Sequence, residues 1–302
     1  MQHIYCWKNK KECRILNNTI RLSVVFFFSL LGLQIKIISS SQNIETIVFY
    51  RSLLGIIIII PFLFFVKNKS LFANKNLKIH FLRSLFGMSA MYFGYKALTL
   101  ITLSQASTIG FTKVFFTTIF AVIFFKEKIS ISYIIFVLFG FTGVYLICLP
   151  DEITNYSGMY MSLFSAICVS GGIISVSYLS KKDNTFVIMF FHSLISTFGF
   201  FLIFKHDINF EISTDLFFLV LITLTALLGQ FFNAESYKIG ETNKIVAMSY
   251  SRIFFSTLLG YFVFDEKINF LTLIGILIII ITTFFTKRGI KFPHGQGNGF
   301  SS

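Results

Sequence analysis

Ten apolar runs dominate the chain, at roughly 20–39, 45–66, 79–98, 104–125, 131–149, 156–179, 184–204, 214–237, 243–264 and 268–285. Each is about 20 residues long, the length at which an α-helix crosses a hydrocarbon layer about 30 Å thick. None alternates polar with apolar residues, so strands of a membrane β-barrel are excluded. Helices remain, because lipid offers no partner to an open backbone. The runs take up most of the 302 residues and leave no room for a soluble catalytic domain. Composition agrees: 55% of residues are hydrophobic and 13% are charged, against about 25% charged in a soluble domain. The sequence therefore predicts an all-α membrane protein of ten transmembrane helices.

The distribution of cations gives the orientation. With the N-terminus inside, the inner segments collect Lys8, Lys10, Lys11, Arg14, Lys67, Lys69, Lys75 and Lys78. They continue with Lys126, Lys128, Lys181, Lys182, Lys238, Lys287, Arg288 and Lys291, while the outer loops hold only Lys205 and Lys267. By the positive-inside rule both termini are expected in the cytoplasm, in a multi-pass protein of the bacterial inner membrane. The formal net charge of +13 then reflects topology, and no nucleic-acid partner is called for. The first run follows a cationic start like that of a signal peptide. It is long and lacks a small-residue cleavage site, so it is read as a retained helix. Cys6, Cys13, Cys148 and Cys168 show no metal-ligand spacing, and no metal or disulfide framework is expected.

Two stretches resemble each other. Phe111–Ile129 and Tyr250–Ile268 align at a constant offset of 139. The offset matches Lys113 with Arg252, Phe116 with Phe255, Thr117 with Ser256 and Ala121 with Gly260. It also matches Glu127-Lys128-Ile129 with Glu266-Lys267-Ile268. Shared greasiness would not place Lys/Arg and Glu-Lys alike, so a duplication is expected. The first repeat is 20–149 and the second 156–285, between an N-terminal segment 1–19 and a tail 286–302, both cytoplasmic. Five helices per repeat is an odd number, so the copies run in opposite directions. Inverted repeats of this kind are the mark of secondary transporters, with substrate held between the halves near the midplane.

With these features the chain resembles the EamA family of the drug/metabolite transporter superfamily. The resemblance rests on ten spans as five plus five, Phe49-Tyr50-Arg51 in helix two and Ala97-Leu98 closing helix three. It rests also on Phe-Phe-Lys-Glu127 and Val-Phe-Asp-Glu266, which end helices four and nine. It covers about residues 20–285 and implies a helical basket around a central cavity lined largely by helices one, three, four, six, eight and nine. Helices four and nine lack the proline many relatives carry; Pro61, Pro150 and Pro293 lie elsewhere. Any kink must then come from glycine or serine.

Lys113 and Arg252 fall near the middle of helices four and nine, where a Lys or Arg costs about 2.5–3.5 kcal/mol to insert. Such residues face a watery cavity, where together they would attract an anionic group, or they pair with structural acids. Glu235, near the end of helix eight, is the one clear acid inside a span, and one acid cannot neutralise both. Phe111 and Tyr250 lie beside the central cations, and Tyr92 and Tyr95 of helix three could join them by stacking or cation–π contact. Asn233 and Gln230 make a polar cluster with Glu235 that would avoid lipid. Arg51 is read as snorkelling or paired with Glu45; Lys36, Lys96 and Arg83 as snorkelling. Ser170-Gly171-Gly172 is read as a close helix approach.

The substrate-binding candidates are thus Lys113, Arg252, Tyr250, Phe111, Tyr92, Tyr95, Glu235 and Asn233. No catalytic residue and no cofactor is expected: there is no G-x-x-x-x-G-K-[ST] loop and no H-E-x-x-H, and His192 stands alone among the spans. The leading expectation is a secondary transporter of a small polar organic metabolite, embedded in lipid and sufficient as a monomer, with a homodimer left open. A membrane enzyme and a non-transporting membrane subunit are the other classes. The Phe, Ile, Lys and Asn bias resembles an AT-rich bacterial genome. The pattern is similar to S-adenosylmethionine uptake carriers of intracellular bacteria, and amino-acid or metabolite export is the alternative.

Overall fold

The computed structural model describes residues 10–64, 76–125, 131–148, 155–210, 215–239, 251–265 and 269–289. Among the described residues every regular element is a helix. They are α1 (Lys10–Ile38), α2 (Ile44–Leu63), α3 (Leu77–Leu100), α4 (Leu103–Gly110), α5 (Lys113–Phe125) and α6 (Ile131–Cys148). Then follow α7 (Tyr156–Ser180), α8 (Thr185–Phe204), α9 (Leu216–Ile239), α10 (Ser251–Phe264) and α11 (Phe270–Gly289). Short polar side chains start several of them. Asn43, Asn155 and Asn184 accept from backbone N–H groups of the first turns of α2, α7 and α8. Thr102 and Gln105 form a reciprocal capping box on α4.

Two boundaries differ from the apolar runs. α1 begins at Lys10, so its helix extends through cationic residues before the apolar stretch. The fourth run is divided into α4 and α5 by a turn at Phe111–Thr112. No proline is involved. Here the ladder tightens, with Phe111, Thr112 and Val114 N–H groups bonding three residues back, and the Thr112 hydroxyl donates to the Ile109 carbonyl. Such back-bonding competes with regular helix geometry.

Five described stretches are long and apolar enough to cross a membrane: Ile44–Leu63, Gln105–Phe124, Tyr156–Ser180, Thr185–Phe204 and Leu216–Lys238. Leu22–Ile38 and Phe255–Phe264 are shorter apolar helices. Leu202, Phe217, Phe262 and Phe270 turn most of their surface outward, which water would penalise and lipid accommodates. This is a multi-pass membrane protein.

The helix pairs follow a pattern. α3 packs on α7 and α1 on α9; α5 packs on α7 and α10 on α1; α2 packs on α8 and α6 on α11. Counted as ten spans, each pairing maps onto another or onto itself when every span is exchanged with the one five along. Small residues set the α3–α7 spacing. A Cβ on Gly171 would come within 2.8 Å of the Phe86 ring, and one on Gly94 within 2.8 Å of Ser165 Oγ. Ser165 Oγ in turn donates to the Ala90 carbonyl at 2.8 Å. This is close approach of backbones through small residues, as expected for the Ser170-Gly171-Gly172 stretch.

One end of the bundle is sealed. At the end holding the α1–α2 turn, Ile35, Ile38, Ile44, Ile47, Leu103 and Leu219 belong to one buried cluster. Polar bonds between turns cover it: Gln42 Nε2 to Asp215 at 2.8 Å, Asn43 Nδ2 to the Asp207 carbonyl at 2.7 Å, and the Asn209 N–H to Thr46 at 2.8 Å. At the end holding the α7–α8 turn, the buried apolar cluster is small: Ile59, Met189 and Leu227.

Candidate functional site

A cavity of about 270 Å³ lies between the helices, beneath the sealed end. Its wall on α3 is a stripe at helical spacing: Arg83, Gly87, Ala90, Met91, Gly94, Tyr95 and Leu98. Residues three and four apart share a helix face, so small residues there open space that Arg83 and Tyr95 enter. α9 contributes Gln230, Asn233 and Tyr237 by the same rule.

Lys113 and Arg252 both line this cavity. Lys113 is the first residue of α5, directly after the turn, and its Nζ lies 5.0 Å from the centre of the Phe111 ring. Arg252 sits in the first turn of α10, with its guanidinium 5.9 Å from the Phe28 ring. Gly32 of α1 packs beside it: a Cβ there would lie 3.7 Å from Arg252 Nη2, an ordinary contact. Serines from the opposite half lie against both backbones. The Ser170 hydroxyl of α7 is shared between the Lys113 carbonyl at 2.9 Å and the Ala166 carbonyl of its own helix at 2.8 Å. The Ser29 hydroxyl of α1 donates to the Val25 carbonyl at 3.0 Å and lies 3.5 Å from the Arg252 carbonyl.

Two further cations line the same space. Arg51 of α2 lies over the Tyr95 ring at 5.7 Å and contacts the Met91 sulfur. The Arg83 side chain meets His192 of α8 above Gly87, where a Cβ would come within 2.5 Å of His192 Cε1. No Asp or Glu is among the described residues of the lining. Among the described residues the ion pairs are His80–Asp183, Lys96–Glu45 and Lys238–Glu235, and none involves these four cations. The Nε atoms of Arg83 and Arg252 and the Tyr95 hydroxyl are buried without a hydrogen-bond partner among the described residues. A buried donor left in this way costs about 1–3 kcal/mol, more when charged.

Of the residues singled out in the sequence, Lys113, Arg252, Phe111, Tyr95 and Asn233 come together at this cavity. Tyr250 lies outside the described residues. Tyr92 and Glu235 are elsewhere. The Tyr92 hydroxyl donates to Glu45 at 3.0 Å and its ring stacks on Phe204, toward the sealed end. Glu235 accepts from Lys238 and Thr185, each at 2.6 Å, near the α7–α8 turn. It sits two residues past Asn233, about 200° around the helix, and so faces away from the cavity.

Arg51 and Arg83 correct the sequence reading. Glu45 precedes Arg51 by six residues, about 240° around α2, and instead takes Lys96 at 3.4 Å, so Lys96 is paired too. Arg83 turns along α3 into the cavity instead of out to the membrane edge. The signal for it was in the sequence: the stripe of small residues at 87, 90 and 94 places Arg83 on the same face. Nothing local marks His192. Helices two and seven thus join the lining expected from the other six.

The chain matches the EamA-like transporter family over residues 19–149 and 156–288. It belongs to that family, whose members are transporters and not enzymes. It is 27% identical to Solute carrier family 35 member G1 of Mus musculus, across 91% of this chain and 79% of that protein. It is 23% identical to the pseudopaline exporter CntI of Pseudomonas aeruginosa, across 92% and 98%. To an S-adenosylmethionine uptake transporter of Rickettsia bellii it is 26% identical, across 79% and 82%. One solved crystal structure superposes with a TM-score of 0.70 at 15% identity, covering 90% of this chain and 96% of that one, which shows a shared fold.

Proposed function

We propose that this EamA-like transporter is a secondary carrier that moves a small anionic organic metabolite across the bacterial inner membrane by alternating access. One observation carries this: Arg51, Arg83, Lys113 and Arg252 converge on one cavity whose described lining holds no carboxylate. Four cations without counter-charges in a membrane interior are costly. An anionic solute supplies the missing charge, and the Phe28 and Phe111 rings line the cavity beside its organic part.

Three features support reading 20–149 and 156–285 as inverted repeats that rock about the site. They are the Lys113/Arg252 correspondence, the exchange pattern of helix pairs and the serine from the opposite half that lies against the backbone carbonyl of each. The positive-inside pattern supports both termini in the cytoplasm, and on that reading the sealed end faces the periplasm. Alternating access requires the seal around Ile35, Ile47 and Leu103 to open while the opposite end closes.

The Rickettsia relative favours a second reading, S-adenosylmethionine uptake. The cavity would take that molecule's carboxylate on its cations and its adenine against a ring. Its sulfonium finds no acid among the described lining residues, which is why an anion is preferred. The exporter relative keeps the opposite direction open. Competition uptake into proteoliposomes against a panel of organic acids, amino acids and S-adenosylmethionine tests both readings. Organic acids should compete best. Competition by S-adenosylmethionine alone would replace the first reading with the second.

A further inference from the structure

We propose that Arg51, Arg83 and His192 form a second anion-binding subsite, so that the transported solute carries two anionic groups. One group rests on this cluster and the other on Lys113 and Arg252. The inference rests on the anionic-substrate reading above and sharpens it.

The cluster is assembled from three elements: Arg51 from α2, Arg83 from α3 and His192 from α8. Gly87 lets Arg83 and His192 meet, because a Cβ there would strike both the Arg83 guanidinium and the His192 ring, and Arg51 lines the same cavity. Arg51 and His192 are more than nine-tenths buried. The protein gives these groups little to bind. Among the described residues Arg51 meets an aromatic face and a thioether sulfur, neither of which neutralises a charge. Arg83 makes no hydrogen bond among the described residues, and its Nε is fully buried. The acid toward that end of α3, Asp183, is already taken by His80 at 2.9 Å and by Asn76. His192 Nδ1 lies 3.3 Å from the Ser196 hydroxyl. With Nδ1 accepting from that hydroxyl, Nε2 carries the ring proton and is a donor for an anion.

The four cations enter the cavity as two sets: Arg51 and Arg83 from α2 and α3, and Lys113 and Arg252 from the first turns of α5 and α10. Tyr95 lies under Arg51 and lines the same cavity as Arg252, with its hydroxyl unpartnered among the described residues. A single carboxylate on one set leaves the other uncompensated where water is scarce. Two carboxylates, or a carboxylate and a phosphate, joined by a short organic link would answer both sets and receive the Tyr95 hydroxyl on the way.

The test uses the full chain purified in detergent, with thermal stabilisation as the readout. The probes are aliphatic dicarboxylates and monocarboxylates of equal chain length. The dicarboxylate of best length should act at roughly 10-fold or lower concentration than its monocarboxylate partner, the effect of one added charge-assisted contact. Arg83→Met and Arg51→Met should erase the dicarboxylate's advantage over the monocarboxylate, and Arg83→Lys should restore part of it. Lys113→Met should weaken both probes. Equal action of the two probes on the unaltered chain overturns the second subsite, and this comparison needs no variant to fold. Loss of both probes alike in Arg83→Met also overturns it. If neither acid stabilises the unaltered chain, the anionic-substrate reading itself fails, and this proposal with it.

Discussion

The guanidinium of Arg51 lies over the Tyr95 ring, 5.7 Å from its centre, while the Tyr95 hydroxyl has no hydrogen-bond partner among the described residues. The ring is committed to the protein and the hydroxyl is not. Tyr95→Phe should therefore keep the cation–π contact and remove an unsatisfied buried group. Its melting temperature is expected to hold or rise. Substrate affinity should fall by about 5- to 10-fold, the loss of one ordinary hydrogen bond. A melting curve and a competition assay on the same preparation check the two halves of this expectation.

Lys113→Met and Arg252→Met each remove a charge at similar length, so membrane insertion should not suffer. Neither residue pairs with an acid among the described residues, so no orphaned carboxylate follows. Each variant should remain folded by size-exclusion profile. Affinity should drop by roughly 10- to 100-fold, the equivalent of a charge-assisted contact of about 1.5–3 kcal/mol. Normal affinity in both folded variants would remove these residues from the site.

Glu235→Gln probes the opposite assignment. Glu235 bonds Lys238 and Thr185 near the α7–α8 turn, and both members of the ion pair are partly exposed. Such pairs contribute about 0–1 kcal/mol. The variant should lose a little thermal stability and keep substrate affinity within about twofold. A large affinity loss would place Glu235 in the binding pathway after all.

How far the sequence reached follows from helical geometry. The apolar runs located the helices, because lipid demands about 20 apolar residues whatever the neighbours are. Lys113 and Arg252 were legible because each interrupts such a run at its middle, and the repeat aligned them. Tyr92 and Glu235 were misplaced because depth along a helix says nothing of the face. Their neighbours Tyr95 and Asn233, at similar depths, do reach the cavity. Arg51 and Arg83 were read as membrane-edge residues for the same reason. Whether a cation near a helix end turns outward depends on what the next helix leaves open; for Arg83 the small residues at 87, 90 and 94 on the same face carried that signal, and for Arg51 nothing local did.

Two glycines should respond oppositely to an added methyl group. At Gly171 a Cβ would lie 2.8 Å from the Phe86 ring, in the tight α3–α7 contact. At Gly110 it would meet nothing within 4 Å, because that residue borders the cavity. Gly171→Ala should destabilise by about 1–3 kcal/mol through overpacking, while Gly110→Ala should leave folded stability unchanged or slightly improved. Thermal unfolding of the pair in one detergent is the measurement, and a larger loss at Gly110 would mean the helix contacts are misassigned.

Cys168 offers a direct reading of the cavity's potential, independent of any substrate. It is a free thiol on α7, buried from the outside and part of the cavity wall. A reagent that reaches it must pass close to Arg51, Arg83, Lys113 and Arg252. Converging charges of one sign in a low-dielectric cleft raise the local concentration of opposite ions by about 10-fold or more. In a chain whose Cys6, Cys13 and Cys148 are replaced by serine, an anionic methanethiosulfonate should label Cys168 faster than a cationic reagent of similar size, by roughly that factor. Raising the ionic strength should shrink the ratio, since screening shortens the reach of the field. Lys113→Met combined with Arg83→Met should shrink it further at constant salt. Equal rates for the two reagents would mean that the cations do not set the field where substrate binds.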